Sequence, residues 1–130
     1  KLLDELLASI KMNRTNVYIT NLVNDRPQDN RDPSPEEIAL YGPFLERQIQ
    51  VIKPRVIACL GRLSMKYVFD TYGLADELKP ISKIHGKEFK ATAAYGTVTV
   101  IALYHPAFAL YNGSMKPMLK KDFKTLKKYI

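Results

Sequence analysis

The sequence predicts an α/β fold, a three-layer α/β/α sandwich around a central, mostly parallel sheet, and three observations carry that prediction. Short β-branched or apolar runs at 17–20, 55–60 and 97–103 alternate with stretches of helical periodicity. The runs are followed by Asn21, by Gly61 and, after Tyr104, by His105. That order gathers a polar, a flexible and a titratable residue at the carboxyl edge of a parallel sheet, where such folds bind ligands. The length, 130 residues with no internal repeat, suits one domain spanning 1–130.

In chain order, Leu2, Leu3, Leu6, Leu7 and Ile10 share one face of an amphipathic helix over 2–12. Lys1 opens directly into that stripe, with no initiator Met and no N-terminal cap. The expectation is a chain entered partway through its fold, with an N-terminal strand missing. The first strand comes next, at 16–22. Pro27 and Pro33 then bar helix from the loop 24–33. At Ser34-Pro35-Glu36-Glu37 a helix starts: Ser34 caps, Pro35 fits the first helical position and Glu37 completes a capping box. Ile38, Tyr41, Leu45, Ile49 and Ile52 mark its buried face, and Pro43 is expected to kink or split it.

Lys53-Pro54 stops that helix ahead of the second strand, 55–60. Gly61 turns the chain into a helix over 62–72, which Gly73 ends. A polar connection through Lys79-Pro80 leads to two strands, 87–91 and 97–103, joined by a turn at Tyr95-Gly96. The second is the more apolar and belongs in the central sheet. A loop over 107–116 precedes a last helix, 117–130, with Leu119, Phe123, Leu126 and Ile130 inward and five lysines outward.

Composition narrows the chemistry. A formal net charge of +7 and a pI near 9.5 favour a polyanionic partner. One cysteine, Cys59, excludes an internal disulfide framework and by itself holds no metal cluster; lying in an apolar run, it reads as an inert buried thiol. No signal peptide and no membrane-spanning apolar stretch occur, which predicts a soluble cytoplasmic protein without membrane association. No Gly-rich phosphate loop, metal-ligand spacing or nucleophile elbow is present.

Two residues stand out, each with a plain alternative. Asn21 at a strand's carboxyl end is placed to read a ligand, or it satisfies loop backbone as a turn residue. His105 before Pro106 is a catalyst or a structural loop histidine. The arginines and asparagines of the 24–33 loop suit phosphate contacts, or they form a solvated loop. Their convergence on one edge favours the functional reading of Asn21 and His105 together.

Ordered blocks along the whole chain resemble the family 4 branch of the uracil-DNA glycosylase superfamily. Val17-Tyr18-Ile19-Thr20-Asn21 is followed by Arg26-Pro27, Asn30-Arg31 and Pro33. Glu37-Ile38, Pro43-Phe44-Leu45, and Pro54 through Leu60-Gly61 come next. His85-Gly86 stands in the place of an Arg-Gly pair, and Tyr104-His105-Pro106-Ala107 resembles the histidine-proline motif that opens the family's DNA-intercalating loop.

The resemblance implies a DNA-repair glycosylase that flips uracil out of the helix and hydrolyses its N-glycosidic bond. Asn21 would pair with the N3–H and O4 edge of uracil, and His105 would donate to O2 of the leaving uracil anion, a contribution of roughly 3 kcal/mol. The DNA-binding set is Arg26, Asn30, Arg31, His85, Pro106, Tyr111 and Lys116, the partner single- or double-stranded DNA containing uracil, and the protein a nucleoid-associated monomer. Three departures qualify it. The glycine-rich first motif, with its water-positioning acid and stacking aromatic, is absent. Asp25 and Tyr41 occupy two positions of the family's four-cysteine iron–sulfur cluster, so no cofactor is expected. Tyr111 stands where the intercalating loop normally has Arg. The alternatives are a glycosylase for another deaminated base, hypoxanthine or xanthine, and a catalytically silent DNA-binding relative.

Overall fold

Every residue from Val98 to Leu103 is buried, so one strand has apolar neighbours on both its faces. The computed structural model describes residues 2–12, 17–19, 35–105 and 113–129. Its elements are α1 (Leu2–Ser9), α2 (Pro35–Ile52), β1 (Val56–Leu60), α3 (Arg62–Thr71), α4 (Ile81–Ile84), β2 (Glu88–Ala93), β3 (Gly96–Leu103) and α5 (Lys116–Phe123). Single 3-10 turns occupy Ala75–Glu77 and Gly113–Met115, and a longer 3-10 segment, Lys124–Tyr129, continues from α5.

The described sheet has the order β1-β3-β2. β1 runs parallel to β3, from Val56 opposite Thr99 to Leu60 opposite Leu103. β2 runs antiparallel to β3, from Glu88 opposite Ile101 to Ala93 opposite Gly96. Among the described residues the sheet is therefore mixed rather than mostly parallel. The reason is local: only Ala94 and Tyr95 separate β2 from β3, and so short a link joins antiparallel strands alone, since a parallel pair needs a long crossover.

Alternation along β3 divides its side chains between two clusters. Val98, Val100 and Ala102 join Cys59 of β1, Met65, Val68 and Phe69 of α3, and Ile84 of α4. Ile101 and Leu103 join Leu6 and Leu7 of α1, Ile10 just beyond it, and Leu119 and Phe123 of α5. Phe69 also meets Phe89 edge to face, with ring centres 5.1 Å apart. Burial of each large side chain contributes roughly 1.5–3 kcal/mol. An apolar run without alternation is the pattern of a strand covered on both faces, and that is how 97–103 reads. Thr99 is the polar exception; its hydroxyl accepts a hydrogen bond from the Lys90 ammonium at 2.6 Å.

Glycine and its substitutes end the helices as the chain requires. After α3, Gly73 has φ +75 and Leu74 N–H reaches back to Phe69 C=O at 2.8 Å, a six-residue closure that satisfies an orphan carbonyl. Lys11 does the same after α1 without glycine, at φ 63, with Met12 N–H on Leu7 C=O at 2.9 Å. This turn ends α1 at Ser9, short of the expected 2–12.

Several expectations need adjusting. α2 is not split at Pro43; a proline removes one backbone hydrogen bond, and the helix has 18 residues in which to absorb the loss. On its predicted buried face Ile49 is buried and Leu45 half-buried, but Ile52 is exposed. The side chains of Ile38 and Tyr41 are outside the described set. The last helix changes to 3-10 geometry at Lys124. The strand expected over 16–22 has three described residues, Val17 to Ile19, and none of them is in a strand.

Contacts divide the chain into two units, Lys1–Tyr18 with Arg55–Ile130, and Ile19–Pro54. The first contains the sheet and both clusters. The second contains α2, on which the Arg47 guanidinium lies 5.7 Å from the Phe44 ring centre. No helix among the described residues is long and apolar enough to cross a membrane.

Candidate active site

The carboxyl ends of β1 and β3 lie side by side, because Leu60 is paired with Leu103. The residues just past each strand are therefore brought together. Gly61 N–H donates to Leu103 C=O at 2.8 Å, extending the parallel ladder by one bond. Gly61 has φ +98, a conformation that glycine adopts without strain, and a Cβ placed there would lie 3.3 Å from His105 Cβ. The β1–α3 turn thus passes directly against His105. Exposed at the end of β3, His105 borders the first turn of α3, whose N-terminal residue receives no side-chain cap. The backbone N–H groups of such a turn favour anions.

A second group of residues closes on β3 from its other side. His85 and Gly86 come after α4, and Gly86 N–H donates to Ala102 C=O at 2.7 Å. The His85 ring lies against the Tyr104 ring, with centres 5.1 Å apart and planes at 40°. His85 Nδ1 donates to Asp122 Oδ2 at 2.7 Å. A carboxylate only accepts, so the proton of this bond is on Nδ1. Asp122 comes from α5, whose outer face carries Lys120 and Lys121, yet it is itself buried at 6 % exposure. Thr125 Oγ1 donates to Gly86 C=O at 3.3 Å, which ties the same corner to the 3-10 segment after α5.

Asp122 is the residue that sequence reasoning missed. Nothing in its spacing marks it, since its partner is 37 positions away. A faint signal exists: it lies beside Phe123 on a lysine-rich helix, at a position adjoining the apolar stripe rather than opposite it.

Of the predicted site residues, the structure brings His85 and His105 to the same strand end, linked through Tyr104. Lys116 is elsewhere on α5, where its ammonium meets Glu5 of α1 at 2.7 Å, so a phosphate there would compete with an ion pair. The Lys116 hydrogen bond and charge hold the Glu5 carboxyl below its ordinary value. Asn21, Arg26, Asn30, Arg31, Pro106 and Tyr111 lie outside the described residues, as does Asp25.

The cluster ligands of an iron–sulfur centre find no match in this chain. Cys59 is its single cysteine, 2 % exposed within β1, and burial pushes its thiol up to about 12, far from the thiolate that ligates iron. Among the described residues no three His, Cys, Asp or Glu side chains are grouped to hold a metal. The donor set does not fit a four-thiolate cluster.

A family model described as the uracil DNA glycosylase superfamily matches residues 1–129. The type-4 uracil-DNA glycosylase of Archaeoglobus fulgidus is 44% identical over 126 residues, covering 97% of this chain and 62% of that protein. That of Sulfurisphaera tokodaii is 40% identical over 128 residues, 98% of this chain and 57% of its own length. The Thermotoga maritima type-4 enzyme is 35% identical over 131 residues, 99% of this chain and 64% of its own length. The chain thus spans about three-fifths of the curated relatives it matches.

Proposed function

The chain belongs to the uracil DNA glycosylase superfamily, and from that premise we propose that the full-length protein removes uracil from single- or double-stranded DNA in base excision repair. The observation that carries the reading is the position of His105, exposed at the carboxyl end of the central strand and packed against the Gly61 turn at the start of α3.

In the proposed reaction, Asn21 holds the flipped base. Its amide accepts from N3–H and donates to O4, a pattern that uracil offers and cytosine reverses. The bond between N1 of uracil and C1′ of the sugar breaks with its electron pair going to the base. An oxocarbenium-like sugar and a uracil anion result. His105 donates to O2 of that anion, where negative charge develops, and water adds to C1′ with loss of a proton. Arg26, Asn30, Arg31, His85, Pro106, Tyr111 and Lys116 form the proposed DNA surface. The protein acts as a monomer, a single α/β/α sandwich with a nucleoid location. The two apolar clusters fed by opposite faces of β3 support that architecture.

The test is strand cleavage at abasic sites after incubation with uracil-containing oligonucleotides. Wild-type protein should release uracil. Asn21→Ala removes both hydrogen bonds to a buried base edge, worth roughly 2–4 kcal/mol, and should slow excision about 30- to 1,000-fold. His105→Ala should cost on the order of 100-fold or more in single-turnover rate. Full activity in Asn21→Ala would remove base recognition from that residue. Preferential release of hypoxanthine or xanthine would move the substrate to another deaminated base.

A further inference from the structure

His85 is held in an unusual way for a residue at a DNA-facing edge. Its Nδ1–H is committed to a carboxylate that is itself buried, and its ring is braced by Tyr104. Gly86, the next residue, stands so close that a Cβ would lie 2.5 Å from Asp122 Oδ1. A quarter of the His85 side chain remains exposed. With Nδ1 engaged inward, Nε2 is the ring nitrogen left to meet a ligand. A buried carboxylate is costly to maintain unless it is paired, and α5 supplies one to this imidazole.

We propose that His85 is a proton-linked phosphate ligand, with Asp122 as the positioning residue that orients its ring toward the DNA backbone. The chemistry rests on counting acceptors. Asp122 accepts at Nδ1, and a phosphate oxygen at Nε2 is also only an acceptor. An imidazole between two acceptors carries both protons, so phosphate binding at Nε2 favours the doubly protonated ring. By linkage, affinity then falls as pH rises. The titratable groups facing the ring are Asp122 from α5 and Tyr104 from the end of β3. Lys83 and Lys87 flank it along its own segment and are exposed. This inference rests on the glycosylase reading in taking DNA as the ligand, and it adds which group senses protons.

The experiment measures binding of the full-length protein to a duplex without uracil, so that no excision intervenes, between about pH 6 and pH 8, where imidazoles change charge. Wild-type protein is compared with His85→Arg, a permanent cation, and His85→Gln, a permanent neutral. Wild-type affinity should fall about tenfold more across this range than that of His85→Arg. At the acid end, His85→Gln should lower the slope of log affinity against log salt by roughly one phosphate contact. His105 is the same in all three proteins, so the difference isolates position 85. Asp122→Asn keeps an acceptor but loses the charge, and its pH profile should flatten. A His85→Arg variant with the wild-type pH profile would overturn the proposal while leaving the glycosylase reading intact. Wild-type protein that binds no DNA at any pH would overturn both. The two His85 variants decide the matter whatever Asp122→Asn does to folding.

Discussion

Gly86 carries two constraints at once, a φ of +77 and a missing Cβ at 2.5 Å from Asp122 Oδ1. Alanine at this position costs about 1–2 kcal/mol for the left-handed backbone and must also displace a carboxylate that is buried and bonded to His85. Gly86→Ala should therefore lower stability by roughly 2–4 kcal/mol in a urea titration, the upper part from the broken pair. Gly61 has a milder version of the same problem, with His105 Cβ at 3.3 Å. Cys59 poses the opposite case, a residue whose chemistry is silenced. Burial raises its thiol to about 12, so in native protein it should resist alkylation at mildly alkaline pH and react only as fast as the fold opens. A native-state reaction at the rate of a free thiol would show that β1 is not covered. At this scale the sequence exposed residues whose neighbours are local. Gly61 and His105 were legible because each comes after an apolar run, and strand pairing does the rest. The Asp122–His85 pair was not, because spacing along a chain carries no information about contact across 37 residues.

Among the elements, α5 has the most to do, since one face packs Leu119 and Phe123 under β3 while Asp122, beside Phe123, reaches the site. Phe123 is 1 % exposed, and Phe123→Ala should cost about 3–5 kcal/mol. Because Asp122 is the adjacent residue, the same change should weaken the proposed DNA binding by loosening His85, which an affinity measurement at fixed pH and salt would register. The contact between α5 and α1 includes the Lys116–Glu5 pair at their exposed edge. Glu5 is held below its ordinary 4.5, so whatever the pair contributes is present above that value and is lost as pH falls through the lowered one. Glu5→Gln should accordingly melt below wild type at neutral pH by a small margin that closes in acid. Long apolar runs were legible as β1 and β3 within one residue at each end. Short elements were not: α4 has four residues, fewer than periodicity needs to declare itself. Of the run at 17–20, the described residues 17–19 are not in a strand; β-branched composition states a fit to a pleated surface and leaves the presence of a partner strand open.

For the molecule as a whole, the balance of 20 basic against 13 acidic residues bears on the proposed DNA surface. Four of the proposed contacts, Arg26, Arg31, His85 and Lys116, are cations or become cations on binding, and each neutralised phosphate releases condensed counterions. On duplex DNA every such contact contributes a slope of about −0.9 to log affinity against log salt, so four predict roughly −3.6 at acid pH. Lys116 counts in full only if it leaves Glu5 to reach a phosphate. A measured slope nearer about −2.7 would match its retention in the ion pair. Removing Glu5 then becomes informative: in Glu5→Gln the ammonium is released, and the slope should steepen toward the four-contact value. A slope near zero in the wild type would mean that the basic surface is not a phosphate-binding one, and the site at the end of β3 would have to take its substrate from a different class of molecule. The same titration on uracil-containing and uracil-free duplexes, made with His105→Ala protein at times too short for excision, should give parallel lines. Phosphate contacts position the backbone irrespective of sequence, and the base contacts of Asn21 are the part that distinguishes uracil. Lines that diverge with salt would place a charged group in base recognition, against the neutral amide proposed for it.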